Sequence, residues 1–332
     1  MQQIPVWENV DFNTFHNEIM VRNKPAHIKS VVGEWPAVKA GMESPESIAN
    51  YLKAQDSEKV ISALVGDPSI NGRFFYRPGL EELNFQKAQV TVGIGVERLI
   101  KIKDDRDPFA IALQAIPIAQ VLPDFKALNP QPLLDTSVEP TMWLGNRAIV
   151  APHYDIHDNL ACVVAGRRKF NLFPPEQIEN LYPGPTLVTP GGVPVSMVDI
   201  NEPDMKRYPK YAEALKVGQE SILEPGDAIY IPALWWHGVE SLESINVLVN
   251  YWWGGEAQNR VSPNDSLIHA MLSIGGLSSE KREAWHDYFN YYVFKTNTDP
   301  AEHLPADLKD VLTSLTPEQN LEIREFLIKQ LT

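Results

Sequence analysis

The chain has 332 residues, 44% of them hydrophobic and 22% charged, fractions that are typical of a globular protein with a sizeable core. Its formal net charge of −14 and its pI near 5.0 argue against nucleic acid and anionic membranes as partners, because both attract clustered Lys and Arg. The single cysteine, Cys162, can form no internal disulfide, and no apolar run reaches the roughly 20 residues of a membrane helix. Residues 1–12 have no leader pattern, so a cytoplasmic location is expected.

Residues 1–125 are predicted to form a mixed α/β region that packs on the core. Pro25 to Ile28, together with Val31 and Val32, predict a short strand. Ser44 followed by Pro45 is typical of a helix start, with the serine as cap and the proline in the first helical position. The composition of Arg73 to Tyr76 is that of another strand.

Residues 126–262 are predicted to form the β core. Short β-branched and aromatic runs alternate here with Pro/Gly turns, which favours an all-β barrel or jelly roll. The best strand candidates are Lys169 to Phe173, Ala228 to Pro232 and Asn246 to Trp253.

Residues 263–332 are predicted to be helical. An aromatic stripe that includes Trp285, Tyr288 and Tyr292 indicates an amphipathic helix, and its apolar face fits either core packing or a dimer interface. Thr316, Pro317 and Gln319 form a capping box that opens a last helix.

The triplet His153-Tyr154-Asp155 is the first candidate for chemistry. Alternation along a strand would place His153 and Asp155 on one face, where both can bind the same metal ion. His237 is the leading third ligand, since it follows a predicted strand and the pair Trp235-Trp236, which could wall the site. Two histidines and one carboxylate are the ligand set of non-haem Fe(II) oxygenases, so we predict Fe(II) at these residues.

Other polar residues near these motifs are assigned weaker roles. His157 would share the face of His153 only if the strand continued, so it is predicted to lie around the metal or to face the substrate. Asp227 and Glu224 are expected to make turn hydrogen bonds, and Cys162 to pack in the core. No partner is predicted for the remaining histidines, which we expect in helices or loops: His16, His27, His269, His286 and His303.

Arg167, Arg168 and Lys169 open a predicted strand of the β core. Alternation places Arg168 on one face and the other two cations on the opposite face, so only one set can point inward. An inward cation could bind the distal carboxylate of an organic acid, bidentately if it is an arginine. Asn159 and Asn250 lie in strand contexts and could face the same cavity.

These motifs, in their order and spacing, resemble those of the JmjC-type, cupin-like (cupin 8) oxygenases, and the asparaginyl hydroxylases among them in particular. The resemblance is strong across the β core and weaker on either side of it. It rests on the triplet at 153–155, Asn159, Gly166, Leu172 to Pro175, Tyr182-Pro183, Pro225 to Asp227, Tyr230 to Pro232, Trp235 to His237, and Val249 to Trp252.

The resemblance implies a double-stranded β-helix with Fe(II), 2-oxoglutarate and O2 as cofactor and cosubstrates. It also implies a homodimer built from the C-terminal helices. It assigns Asn159, Asn250 and Trp252 to the cosubstrate pocket, together with Arg168 or Lys169. Two positions depart from the asparaginyl hydroxylases: Arg168 stands in place of a lysine that binds the cosubstrate tail, and Val150 in place of a threonine that also contacts it.

The function indicated is therefore a 2-oxoglutarate-dependent hydroxylase of a protein side chain, a peptide or a small molecule. Two alternatives remain open at this point. One is a cupin metalloenzyme that acts on a small molecule without 2-oxoglutarate. The other is a binding module that keeps the fold but has no catalytic activity.

Overall fold

The computed structural model describes residues 1–254, 262–296, 299–305, 309 and 316–331. The chain divides into two compact units, Met1–Gly255 and Glu256–Thr332. Within the described ranges, no helix has both the length and the apolar composition that a bilayer crossing requires.

The first unit is built on two β-sheets. Their strands β1 to β14 are Gln2–Gln3, Val6–Trp7, Ala26–Ile28, Ile61–Gly66, Phe85–Val90, Ala110–Pro117, Pro140–Gly145, Ile149–His153, Asp158–Ala165, Arg168–Phe173, Gln219–Leu223, Ala228–Ile231, Trp236–Ser241 and Asn246–Trp253. One sheet has the strand order β1-β11-β10-β13-β8, and the other β2-β3-β12-β9-β14-β7-β6-β4-β5. From β7 to β14 the chain passes repeatedly between the two sheets, which is the double-stranded β-helix that was predicted.

An apolar interior lies between the two sheets and identifies the inward face of each strand. Phe170 and Leu172 on β10 pack there against Ala161, Ile229 and Leu248 of the other sheet. Because side chains alternate along a strand, residues two positions from these share the same interior face. This alternation determines which polar side chains of each strand point into the interior.

The N-terminal helices cover the nine-stranded sheet. Val38, Ile48, Leu52 and Leu99 are buried in a second apolar cluster with residues of that sheet. Strands β4, β5 and β6, which belong to the predicted N-terminal region, continue the same sheet, so this region packs directly on the core. The helices α1 to α7 are Phe12–Thr14, Pro36–Glu43, Pro45–Lys53, Val92–Ile102, Ile118–Val121, Phe125–Leu128 and Tyr211–Val217. Segments of 3-10 or π helix span Phe15–Ile19, Met20–Arg22, Pro68–Ile70 and Pro175–Leu181.

Local helix signals in the sequence are confirmed. Helix α3 starts after Ser44, whose side chain accepts a hydrogen bond from the Ser47 backbone N–H at 3.0 Å, with Pro45 in the first turn. The second unit contains α8, Pro263–Ser273, α9, Ser279–Tyr292, and α10, Pro317–Leu331. Before α10, Thr316 and Gln319 form the predicted reciprocal pair of side-chain to backbone hydrogen bonds, at 3.0 and 3.2 Å.

Two predicted strands are wrong in part. Val31 and Val32 lie in a turn beyond β3, where the Val32 N–H donates to the Gly226 carbonyl. The segment Arg73 to Tyr76 forms only isolated bridges. Its backbone groups are bonded instead by Asn84, whose side chain accepts from the Phe75 N–H and donates to the Arg73 carbonyl, so a full strand ladder is not needed to satisfy them.

Candidate metal centre

His153 and His237 face each other at the end of a strand pair. They are Cα partners on β8 and β13, and their ring centroids lie 4.3 Å apart. On its other side His237 is paired with Leu172, which belongs to the apolar interior, so His237 also points inward. The side chain of His237 is almost completely buried.

Asp155 completes the group, but from a loop. Strand β8 ends at His153, so the prediction that one strand carries both residues is wrong at Asp155. The Leu234 N–H donates to the Asp155 carbonyl at 2.8 Å, and this bond ties the loop to the turn before β13. Asp155 Oδ2 lies 3.6 Å from His237 Nε2, and the ligand atoms of His153, Asp155 and His237 all lie within 4.8 Å of one another.

The hydrogen bonds of the two imidazoles fix their tautomers. Nδ1 of His153 donates to the Ala151 carbonyl and Nδ1 of His237 to the Trp235 carbonyl, each at 3.0 Å. A carbonyl oxygen only accepts, so each neutral ring keeps its lone pair on Nε2, the atom available to a metal. Burial, with a contribution from His153, lowers the pKa of His237 to about 4, which keeps the ring neutral near pH 7.

This donor set fits a divalent transition metal. Two imidazole nitrogens and one carboxylate oxygen from three directions are the ligands of non-haem Fe(II) sites, which leave further coordination positions open. His157 lies in the bend between β8 and β9 and is half-buried, and it is not a member of the three-residue group. The structure therefore brings together the three predicted ligands, and a role for His157 around the metal or facing the substrate stays a prediction.

Arg168 is the cation that enters the interior. It alternates with Phe170 and Leu172 on β10 and is paired with the buried Leu223 on β11. Arg168 is 7% exposed, its Nε has no hydrogen-bond partner, and across the described chain no carboxylate forms an ion pair with it. Burial lowers the pKa of Arg168 to about 10, so the guanidinium is still charged at neutral pH. An unpaired buried cation is costly, and an anionic ligand would remove that cost.

Three more polar atoms belong to the same interior and have no hydrogen-bond partner among the residues that the structure describes. They are the indole Nε1 of Trp143, the indole Nε1 of Trp252 and the side-chain oxygen of Asn250. The two indole rings meet edge to face at 6.1 Å, and Asn250 donates to the Asn159 side-chain oxygen at 2.7 Å. Asn159, Asn250, Trp252 and Arg168 thus lie on the interior faces of their strands, and their role in a cosubstrate pocket stays a prediction.

Sequence reasoning missed Trp143. It lies on β7 opposite Leu248, whose side chain faces the interior. Met142 and Leu144 on either side of it belong to the cluster on the opposite face of the sheet. The sequence did contain a signal for it: Trp143 lies between two apolar residues, Met142 and Leu144, and strand alternation predicts that it points to the face opposite theirs.

Lys169 lies outside this pocket, contrary to the prediction that included it. Its side chain points to the opposite face of β10 from Arg168 and forms an ion pair with Glu220 at 3.1 Å. Arg167 is exposed and pairs with Glu243 at 2.7 Å. Val150 packs against the apolar interior and offers no hydrogen bond there. Of the two predicted wall residues, Trp235 is in the interior, whereas Trp236 packs on the other face of the sheet against Tyr154.

His27 and Asp227 differ from their predicted roles. The prediction that His27 lacks partners is wrong, because it is buried in β3 with both ring nitrogens hydrogen-bonded. Asp227 accepts the expected turn hydrogen bond, from the Glu224 N–H, and also bonds to His27 and Lys29. Cys162 is buried as predicted, and burial raises the pKa of its thiol.

Comparison with known proteins agrees with this architecture. A family model described as a cupin-like domain matches residues 12–259. The lysine-specific demethylase JMJ31 of Arabidopsis thaliana is 40% identical over 112 residues, which are 33% of this chain and 20% of that protein. JmjC domain-containing protein D of Dictyostelium discoideum is 28% identical over 249 residues, and the lysine-specific demethylase 8 of Xenopus tropicalis 23% identical over 259.

The last two alignments include 69% and 72% of this chain, and 52% and 50% of those proteins. The chain therefore spans about half the length of these two curated relatives, and less of the first. The chain belongs to the cupin-like domain family, and the predicted relation to JmjC-type proteins is confirmed.

Proposed function

We propose that this member of the cupin-like domain family is an Fe(II)- and 2-oxoglutarate-dependent oxygenase that hydroxylates a C–H bond. The observation that carries the proposal is a pair of features in one interior. The His153, Asp155 and His237 group offers three ligand atoms, and the buried Arg168 guanidinium has no carboxylate partner in the described chain.

His153 and His237 would hold the metal through Nε2, and Asp155 through a carboxylate oxygen. The Nδ1 hydrogen bonds to Ala151 and Trp235 hold both rings in that orientation. Bound Fe(II) would supply the activation of O2 that is coupled to the oxidative decarboxylation of 2-oxoglutarate to succinate and CO2.

Arg168 would hold the far carboxylate of the cosubstrate. His237 is paired with Leu172, which is four residues from Arg168 on β10, so their Cα levels differ by about 13 Å at the usual strand rise. Because a bound metal ion and the guanidinium are both cationic, a ligand that joins them would carry an acidic group at each end. A dicarboxylate fits this requirement, and a planar guanidinium can bind its tail through two parallel hydrogen bonds.

Tryptophan N–H groups would supply neutral donors to the same ligand. Val150 provides none, whereas the indole nitrogens of Trp143 and Trp252 are both unpaired. The two indole rings and the interior Trp235 also add apolar surface to this interior, which would strengthen electrostatic interactions with a bound ligand.

The prime substrate in this proposal is a protein side chain, a peptide or a small molecule. Two of the relatives described above are named as lysine-specific demethylases. Hydroxylation of an N-methyl carbon gives a carbinolamine that loses formaldehyde, so demethylation and stable hydroxylation begin with the same C–H chemistry. The two outcomes differ in the substrate carbon that the pocket presents to the metal.

A second copy of the chain is the proposed partner of the C-terminal unit. Trp285, Tyr288 and Tyr292 on α9 are 45%, 59% and 47% exposed, and Phe326 on α10 is 60% exposed. Large apolar side chains that remain exposed on an amphipathic helix are typical of an association surface. The homodimer implied by the family resemblance would cover them.

The test combines turnover with binding. Purified chain with Fe(II), O2 and 2-oxoglutarate is expected to form succinate, faster when a substrate is present. Calorimetry under anaerobic conditions, with Mn(II) in place of Fe(II), is expected to show 2-oxoglutarate binding that Arg168→Met weakens by at least about 30-fold and Arg167→Met leaves unchanged.

The outcomes separate the alternatives. Absence of both succinate formation and 2-oxoglutarate binding would reject the proposal. Mn(II) binding without 2-oxoglutarate binding would favour a cupin metalloenzyme of another kind. Absence of metal binding would favour a non-catalytic module.

A further inference from the structure

A second polar cluster lies where β3 of one sheet approaches β11 of the other. His27 on β3 is paired with Ile229, and Ser221 on β11 with Phe170, and both partners belong to the apolar interior. The Ser221 hydroxyl lies 2.9 Å from His27 Nδ1. The cluster shares no residue with the metal group.

The hydrogen bond to Asp227 fixes which ring nitrogen of His27 carries the hydrogen. Asp227 Oδ2 lies 2.9 Å from His27 Nε2, and because an ionised carboxylate only accepts, Nε2 must hold the hydrogen. In the neutral ring, Nδ1 is then an acceptor that faces the Ser221 hydroxyl. The three side chains form a continuous Ser–His–Asp series with the base directed at the hydroxyl, which is the arrangement that activates a serine.

The carboxylate of Asp227 is held in its ionised form. It accepts from Lys29 Nζ at 2.7 Å, from the Ser30 N–H at 3.0 Å and from the Glu224 N–H at 3.2 Å. Burial alone would raise the pKa of Asp227, but the hydrogen bonds from His27, Lys29 and these backbone groups lower it to about 2. A fixed anion at this position stabilises an imidazolium when His27 takes up a proton.

A cavity lies beside the cluster, with both Ser221 and His27 among its lining residues. Its volume is about 500 Å³, and its lining includes Ser221, His27, Lys29 and Lys169. This size suits a small molecule. The lining also contains Glu8 and Glu220. Lys169 is paired with Glu220 and Lys29 with Asp227, so the cavity carries both signs of charge, which suits an uncharged ester.

We propose that Ser221 is the nucleophile of a second site, distinct from the metal centre, that takes the acyl group of a small ester. Ser221 Oγ bonds to the acyl carbon while its proton moves to His27 Nδ1. The bond from that carbon to the alkoxy oxygen then breaks, and the leaving alcohol takes the proton from His27.

Water completes the cycle. His27 removes a proton from water, the water oxygen bonds to the acyl carbon, and the bond from that carbon to Ser221 Oγ breaks. The proton returns to Ser221, so the net change is ester plus water to acid plus alcohol. The site needs neither iron nor 2-oxoglutarate, and its activity is independent of the function proposed above.

The test uses a fluorophosphonate probe on the full chain, with the adduct located by peptide mass spectrometry. Wild type is expected to carry the adduct on Ser221. His27→Gln keeps hydrogen-bonding groups at this position but cannot act as a base, and it is expected to slow labelling at least about 100-fold. Ser241→Ala removes a buried serine of β13 that is outside the cluster, and it should label like wild type.

Hydrolysis of 4-nitrophenyl acetate is the second measurement, and it is expected to fall at least about 100-fold in Ser221→Ala. Thermal unfolding and Mn(II) binding of each variant report whether its fold is retained. Absence of a Ser221 adduct in wild type would overturn the proposal, as would equal labelling rates in wild type and a folded His27→Gln variant. Either result would make the cluster a structural link between the two sheets.

Discussion

His153 and His237 are cross-strand partners, and their ring centroids are 4.3 Å apart at the point where β8 ends. Each ring is anchored through Nδ1 to a carbonyl two residues before it in the chain. This arrangement leaves Nε2 of each ring as the lone-pair atom, and these atoms lie within 4.8 Å of an Asp155 carboxylate oxygen.

Replacement of His237 by alanine should weaken Mn(II) or Fe(II) binding by more than about 100-fold, since loss of a direct ligand exceeds the effect of losing an outer hydrogen bond. Metal content and calorimetry measure this. His269→Ala, on α8, is the matched control and should bind normally. Wild-type affinity in a folded His237→Ala variant would contradict the assignment of His237 as a ligand.

Replacement of Arg168 by methionine should separate ligand binding from stability. We expect 2-oxoglutarate affinity to fall by at least about 30-fold, because a buried charge pair is worth about 2 kcal/mol or more to a complex. The ligand-free variant should melt at the same temperature as wild type or higher, because an unpaired buried cation has been removed. Thermal melts with and without 2-oxoglutarate and Mn(II) test both parts. A large loss of ligand-free stability would show that Arg168 is a structural residue.

The indole N–H groups of Trp143 and Trp252 should each contribute one hydrogen bond to the cosubstrate. Phenylalanine keeps an aromatic ring and removes the donor, so each variant should lose about fivefold in 2-oxoglutarate affinity, equivalent to about 1 kcal/mol. Metal affinity should not change. Trp285→Phe, on α9, serves as the control. Unchanged 2-oxoglutarate affinity in both pocket variants would remove the indoles from the proposed site.

Protonation of Asp227 should lower the free energy of unfolding as the pH falls below about 4. Its pKa is lowered from 3.8 to about 2, so the folded state binds the proton less readily than the unfolded state. The ionised Asp227 carboxylate therefore adds about 2 kcal/mol to the free energy of unfolding above pH 4, and this contribution is lost as the pH falls through 2. Urea unfolding between pH 2 and 5, followed by tryptophan fluorescence, should show a steeper loss for wild type than for Asp227→Asn. Parallel curves would contradict the prediction.

The exposed apolar side chains of α9 and α10 should support a dimer. Sedimentation is expected to give twice the 37.4 kDa chain mass for wild type, and a shift toward monomer when Tyr288 and Phe326 are both changed to glutamate. A charge placed in an apolar interface is costly to bury. Lys281→Glu, on α9, also places a glutamate on the helix and controls for charge. A monomeric wild type would exclude the dimer.

Much of the fold could be predicted from local pattern. Ser44 and Thr316 cap helices as predicted, because a cap depends on residues within one turn of each other. The strands from Ala228 and Asn246 also follow their β-branched and aromatic composition. Arg73 to Tyr76 has the same composition but no full strand, because the Asn84 side chain bonds to its backbone.

Motifs within the sequence were enough to select His153, Asp155 and His237, and strand alternation was enough to predict that Arg168 and Lys169 point to opposite faces of one strand. Which of those faces is the interior could not be predicted, because it depends on the pairing of β10 with β11 and β13 in the folded chain.

The same limit applies to Asp155, which is placed by a bond to the distant Leu234, and to His27, whose partner Ser221 is 194 residues away. Alternation along a strand is a local property, whereas the environment of each face is set by strands that meet only after the chain has folded.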